Sequence, residues 1–441
     1  MKLNIRIGNK THEGGKAVKI SPELQLRRSV MSCLLWEDEF YEDGISIAQR
    51  IAETIPLVEP ERVAAMAVEA RTKMKLRHAP LLMVREMARL SGYRRLVGNT
   101  LYEVIQRADE LTEFVTIYWK DGKQPLSAQV KNGLARAFTK FDAYQLAKYD
   151  RDEVVKLRDV LFLCHPKPLE KNQEEMWKKL VDGTLESPDT WEVSLSAKKD
   201  KKETFERLLS ENKLGALALL RNLRNMAGSG VDEQLIFSAL DRMKVERVLP
   251  YRFITAARYA PQWEDRIEST MLKCLAALEK MAGRTVILAD VSGSMAGPIA
   301  RSEINRIDVA CGLAILAREL CDTCVFTFSN KIKQVPARHG FALRDAIINS
   351  QPHGATYLGN AVEYLNKKVP FDRLIVITDE QSHDTVPSPK ANGYIINVAS
   401  NRNGVGYGAW THIDGFSEAT LEYIKQKELF DAGIQQTDLN Q

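Results

Sequence analysis

Asp290, Ser292 and Ser294 stand at alternate positions directly after the apolar run Thr285-Val286-Ile287-Leu288-Ala289. One carboxylate and two hydroxyls are thereby presented at the C-terminal mouth of an expected strand. Hard oxygen donors of this kind suit Mg²⁺ or Mn²⁺, and the mouth of an open α/β sheet is where such folds bind ligands. A short Asp/Ser turn after a strand also occurs without any ion. Two later segments carry compatible groups. Gly354-Ala355-Thr356-Tyr357-Leu358-Gly359 is a glycine-flanked loop opening a helix and offers the Thr356 hydroxyl. Arg373-Leu374-Ile375-Val376-Ile377-Thr378 is a second buried-type strand, and it ends in Asp379 and Glu380.

A second set of residues could grip phosphates. Lys131, Arg136, Lys140, Lys148, Arg151, Lys156 and Arg158 are interleaved with Phe138, Phe141, Tyr144 and Tyr149. The spacings from Arg136 to Lys140 and from Lys148 to Arg151 put cations on one helix face. Cations there could follow a phosphate backbone while aromatics stack bases. The same pattern also reads as a solvated face over core aromatics, and Asp142, Asp150, Asp152 and Glu153 partly neutralise it. His165 precedes Pro166-Lys167-Pro168 and should sit at a helix end, where a lone His is often a cap. Arg221 and Arg224 could contact a ligand or support packing. The run from Arg71 to His78 is densely basic, but cations also favour a helix C-terminus.

These groups need a scaffold, and 441 residues are enough for two or three domains. The chain is 44% hydrophobic and 27% charged, as in ordinary globular proteins. The net charge of +4 is made up of +6 over residues 1–280 and −2 over residues 281–441. So small an excess is weak evidence for a nucleic-acid partner, because patches matter more than sums. No apolar run approaches the roughly 18 residues of a membrane span. Met1 to Ile7 alternates like a strand and lacks a signal-peptide core, so a cytoplasmic protein is expected. The six cysteines are scattered. Cys321-Asp322-Thr323-Cys324 has no second pair for zinc.

Residues from about 20 to 280 read as helix after helix with short links. Candidate helices cover 47–55, 60–68 and 81–90, and others start near Ser127, Asp152, Asn172, Thr204, Leu214, Asp232 and Gln262. Stacked antiparallel pairs are expected, without a clean repeat length. From about 283 the pattern changes to strand 285–290, helix 302–320, strand 324–329, helices 341–350 and 358–368, and strands 373–378 and 393–398. That alternation predicts a doubly wound parallel sheet. The helix around Arg306 to Leu316 is apolar on most faces, as beneath a sheet. An amphipathic segment from Glu418 to Lys427 should cover one face, and the tail after Asp431 looks frayed.

The three polar loops resemble the metal-ion-dependent adhesion site of the von Willebrand factor A domain. The resemblance implies one divalent cation, Mg²⁺ or Mn²⁺, surrounded by Asp290, Ser292, Ser294, Thr356 and Asp379. Three helical stretches, Leu26 to Trp36, Leu157 to Pro168 and Ala218 to Met226, resemble the TROVE module of the Ro autoantigen family, whose domain order this chain shares. That resemblance implies a HEAT-like helical-repeat ring over residues 1–282, followed by an A domain over 283–430. It further implies a monomer that binds small noncoding Y-like RNAs and the 3′ ends of misfolded RNAs. Relatives work with RNA-degrading or RNA-repair machinery. The candidate RNA contacts are Arg136, Lys140, Lys148, Arg151, Arg158, His165, Lys167, Arg221 and Arg224. A non-enzymatic RNA-binding protein is the leading expectation. The alternative is a cation-dependent protein-interaction scaffold. A hydrolase is disfavoured, since Ser382-His383-Asp384 cannot form a triad by adjacency alone. No Lys/Arg-Trp amphipathic segment points to a membrane partner.

Overall fold

The computed structural model describes residues 21–31, 44–74, 76–186, 189, 191, 193, 200–243, 250–276, 278–299, 304–399, 409–415 and 419–431. The expected strand at Met1 to Ile7, Cys33 and the tail after Asp431 lie outside them. The chain packs as two compact units, one holding Ser21–Leu35 and Ile45–Ala197, the other Lys198–Gln441.

The first unit is helical. Its elements are α1 (Pro22–Met31), α2 (Gly44–Thr54), α3 (Pro60–Thr72), α4 (His78–Arg89), α5 (Arg94–Val104), α6 (Asp109–Tyr118), α7 (Ala128–Phe138), α8 (Ala143–Tyr149), α9 (Leu157–Cys164) and α10 (Lys171–Asp182). Neighbours in the chain pack together, as α3 with α4 and α4 with α5, and so do next-but-one helices: α3, α5, α7 and α9 form one row, while α4 and α6 belong to a second. Fully buried Val63 and Ala67, Val97 and Leu101, Val130 and Leu134, and Val160 line the first row. Each such Val or Leu side chain contributes roughly 1.5–3 kcal/mol by leaving water. A Cβ on Gly133 would lie 2.9 Å from the Gly98 carbonyl and from Leu101 Cβ, so glycine is what lets α7 approach α5. The helix expected from Asp152 begins only at Leu157. Its first turn is set there because the Asp159 carboxylate accepts the Lys156 N–H at 2.9 Å. Ser127 and Asp232, by contrast, cap the helices that follow them.

The second unit begins with α11 (Lys201–Ser210), α12 (Ala216–Ser229), α13 (Glu233–Asp241), α14 (Pro250–Tyr259) and α15 (Glu264–Ala276). Strand–helix alternation follows: β1 (Met281–Asp290), α16 (Arg306–Leu320), β2 (Cys321–Phe328), β3 (Ile332–Gln334), α17 (Gly340–Ile348), α18 (Leu358–Lys368), β4 (Arg373–Thr378), β5 (Asn392–Asn397), β6 (Trp410–Asp414) and α19 (Ala419–Asp431). The sheet order is β3-β2-β1-β4-β5-β6, parallel except for the β2–β3 pair. The expected strands appear as β1, β2, β4 and β5. The edge strands β3 and β6 were not anticipated: Ile332-Lys333-Gln334 is short and mostly polar, and Trp410-Thr411-His412 shows no apolar run.

One sheet face packs on α18 through Val286, Leu288, Leu374, Val376, Leu358, Val362 and Leu365. The other is covered by α16, which touches β1, β2 and β4. All residues from Arg306 to Ala317 are buried, which one sheet alone would not require. The reason is α14, which packs on α16 from the far side. A Cβ on Gly312 would lie 2.9 Å from the Tyr251 backbone nitrogen. Arg258 donates to Asp308 at 2.6 Å, and Arg344 to Glu264 at 2.9 Å. The compact unit therefore joins α11–α15 to the sheet, although the change of element type falls at Met281. The C-terminal helix is anchored by Glu428, which accepts from buried Arg373 at 2.7 Å and from the Tyr394 hydroxyl at 2.9 Å.

Candidate metal centre and nucleic-acid interface

β1 and β4 are parallel neighbours, so their C-terminal ends bring Asp290 and Asp379 to the same edge. Both side chains are fully buried. Asp290 accepts the Ser292 N–H at 2.8 Å and the Thr378 hydroxyl at 2.6 Å. The Ser292 and Ser294 hydroxyls are 3.2 Å apart. Gly293 N–H donates to the Gly354 carbonyl at 3.0 Å, joining the first loop to the second. His383 N–H donates to the Thr356 carbonyl at 2.9 Å, joining the second to the third. Burial, and then the charge of Asp379, push the Asp290 carboxyl above the usual carboxylate range.

Arg306 is the residue that sequence reasoning missed. Its guanidinium donates to the Ser294 carbonyl at 3.1 Å and lies 3.7 Å from the Asp379 carboxylate. The one signal was a cation opening an otherwise apolar helix, where the helix dipole disfavours it. A buried cluster behind the loop was also missed. Glu380, at φ 64, takes a 3.0 Å hydrogen bond from Asn397 and lies 2.8 Å from His412 Nε2.

Ser382-His383-Asp384 has a structural task. The Asp384 carboxylate accepts the N–H groups of Gly359 and Asn360, both at 2.8 Å, and the Ser382 hydroxyl at 2.6 Å. It caps α18, and so fixes the loop that carries Thr356. Among the described residues, no cluster of three or more His, Cys, Asp or Glu side chains could hold a metal. The five-residue set contains two carboxylates, so its hydroxyls would have to supply the remaining protein ligands. Cys321 and Cys324 both lie on β2, with thiols pushed up by burial. That is the opposite of an activated thiolate.

The basic candidates divide by environment. Lys140 is half-buried, and its ammonium donates to the Tyr102 carbonyl and, at 2.9 Å, to the Ile105 carbonyl. It closes the C-terminus of α5, and burial lowers its pKa. Arg136 is exposed, donates to Asn99 at 2.6 Å and stacks 4.5 Å from the Tyr102 ring centre. Lys148 and Arg151 lie 5.7 and 6.0 Å from the Tyr149 ring. Arg158, His165 and Lys167 are exposed. His165 takes a left-handed conformation at the C-terminus of α9, with φ 47, and Phe162 one turn earlier is 55% exposed. In the run from Arg71 to His78, Arg71 is buried against Glu110 at 2.6 Å, and Arg77 pairs with Asp109 and Glu113. Those cations serve folding.

Arg221 and Arg224 are exposed on α12 and line an open pocket of about 720 Å³. Arg252, Asn225, Thr255 and Tyr259 share it, with Ile304 from the segment before α16. Arg224 lies 5.2 Å from the Tyr259 ring. Arg252 and Tyr259 escaped the sequence reading because they lie on α14, a helix away in the chain. No described helix is long and apolar enough to cross a membrane.

Residues 176–291 match the family described as the TROVE domain. A segment of 91 residues is 32% identical to Telomerase protein component 1 of Mus musculus and 31% identical to that of Rattus norvegicus. The match covers 19% of this chain and 4% of each relative, so the chain spans a small part of their length. The crystal structure of the Deinococcus radiodurans RO (RSR) protein superimposes with a TM-score of 0.65 at 17% identity. It covers 94% of this chain and 100% of that one.

Proposed function

We propose, from the premise that this chain is a TROVE-domain protein with the fold of a Ro protein, that it binds RNA without chemically altering it. The observation that carries the reading is the pocket of Arg221, Arg224 and Arg252 beside Tyr259, all within the matched segment. Arginines in an open pocket attract phosphates, and an aromatic face among them accepts a base. The exposed cations Arg136, Arg151, Arg158 and Lys167, with exposed His165 and partly buried Lys148, extend the basic character over the first unit. Affinity of this kind is electrostatic and falls with salt. The RNAs in view are small noncoding Y-like RNAs and misfolded structured RNAs with single-stranded 3′ ends. An exoribonuclease or an RNA-repair protein is the expected protein partner.

The oxygen set at the sheet edge fits a divalent cation. Burial and the neighbouring Asp379 charge raise the energy of the Asp290 carboxylate, the side-chain donors of the set are all oxygens, as Mg²⁺ or Mn²⁺ prefer, and Arg306 stands beside them as a competing positive charge. Asp290, Ser292, Ser294, Thr356 and Asp379 would hold it. When bound it supplies an open coordination position for an oxygen ligand. The chain's own residues orient the donors: Thr378 and Ser292 N–H fix the Asp290 carboxylate, and Asp384 holds the loop bearing Thr356.

The test is fluorescence anisotropy of a small structured RNA across a salt series. Affinity that weakens steeply with salt, and that drops when Arg221 and Arg224 are replaced by Glu, supports the reading. No binding at low salt removes it and leaves the protein-interaction scaffold.

A further inference from the structure

A pocket of about 220 Å³ opens in the first unit between the link after α5 and helix α8. Its floor is buried Phe141 and Ala108. Tyr144, which is 49% exposed, and Tyr149 also line it. Arg107 lies 4.9 Å from the Tyr149 ring centre and is held there by Asp109, through Nε at 3.1 Å and through its terminal nitrogen at 2.8 Å. Lys148 approaches the same ring, as does Arg151 just outside the pocket. Two amides complete the rim. Gln145 accepts the Asp142 N–H through its oxygen at 3.1 Å, which leaves its NH₂ group as a donor. Gln106 donates to the Glu103 carbonyl at 2.7 Å, which leaves its oxygen as an acceptor.

Flat aromatic walls, cations at the rim and one amide of each polarity suit a single class of ligand. A planar heterocycle can stack on the tyrosines, its edge can meet the amides, and its phosphates can meet Lys148 and Arg107. The space is too small for a base pair. We infer that the pocket of Tyr144, Tyr149, Arg107 and Lys148 holds one unpaired, flipped-out nucleotide of a bound RNA. The inference rests on the RNA-binding reading and deepens it. The first unit would thereby select RNAs with bulged or frayed nucleotides over perfect duplexes, since every base has a π-face but only an unstacked one is available.

The test uses the full chain with three RNAs: a blunt duplex, the same duplex with a single bulged 2-aminopurine nucleotide, and the same with an abasic bulge. Binding is read by anisotropy and stacking by 2-aminopurine fluorescence. The bulged RNA should bind about tenfold more tightly than the duplex or the abasic form, the range of one base–aromatic stack. Tyr144→Ala should abolish that preference and the fluorescence change while leaving duplex affinity unaltered, and Tyr144→Phe should retain both. Tyr144 is half exposed, so its truncation spares the fold, which circular dichroism checks. Equal binding of all three RNAs by the native chain, or a Tyr144→Ala variant indistinguishable from it, overturns the pocket alone. Failure of the native chain to bind any of the three at low salt overturns the RNA-binding reading as well.

Discussion

The guanidinium of Arg306 lies 3.7 Å from the carboxylate of Asp379, with both side chains closed off from solvent. Asp290 shares that buried edge, so Arg306 is a built-in positive charge beside two carboxylates. Arg306→Met removes it and leaves like charges facing each other. Breaking a buried pair costs about 3–5 kcal/mol. The variant should melt well below the native chain in EDTA and recover much of the loss in excess Mg²⁺. Asp379→Asn should not respond to Mg²⁺. Thermal melts with and without the ion decide, and a Met variant as stable as the native chain in EDTA would refute this role for Arg306.

The approach of α14 to α16 depends on the missing side chain at Gly312. Gly312→Ala pushes a methyl into the Tyr251 backbone and should cost about 1–3 kcal/mol, the usual penalty of overpacking. Gly228→Ala is the matched control. It lies in α12, and an added Cβ there meets nothing within 4 Å. It should be neutral or stabilise by about 0.5–1 kcal/mol through helix propensity. Chemical denaturation measures both.

Arg221 and Arg224 are expected to act as phosphate contacts. Replacing each by Ala should weaken RNA binding across sequences. It should also lower the slope of log affinity against log salt by about one for each phosphate left unneutralised. If the slope is unchanged, the two arginines face the pocket without touching phosphate.

Glu113 supplies a pH signature. Burial, opposed by Arg77 and reinforced by Asp109 and Glu110, pushes its carboxyl from 4.5 to about 7. The native state then holds a proton that the unfolded chain has released. Its contribution to stability is full below pH 4.5 and is lost as pH rises to about 7. His78 runs the other way. Burial first, and then Arg77, lower it from 6.5 to about 4, so its contribution is present above 6.5 and lost as pH falls to about 4. Between 4.5 and 6.5 the two oppose each other. In Glu113→Gln the melting temperature should rise with pH across that range more steeply than in the native chain. Superimposable profiles would show that Glu113 titrates normally.

The strands carrying Asp290 and Asp379 were legible because a strand buried on both faces must be an unbroken apolar run. Ser127 and Asp232 were legible as helix starts because capping is local chemistry. Arg306 was not, since nothing in its neighbours says that a carboxylate from β4 will lie beside it. Lys140 looked like a free cation; its chain neighbours could not reveal that the carbonyls ending α5 would take its ammonium. The edge strands β3 and β6 depend on what they pair with more than on their own side chains.

By itself the sequence determined the periodicities, hence the helical part, the parallel sheet and the order of its polar loops, because these follow from residue types a few positions apart. Tertiary structure alone decided which charges are buried in pairs and which remain exposed. It also decided that α16 is covered on two sides, and that Tyr144 and Tyr149 share a pocket with Arg107. Desolvation and pairing are set by residues distant in the chain, and no local pattern encodes where those residues will meet.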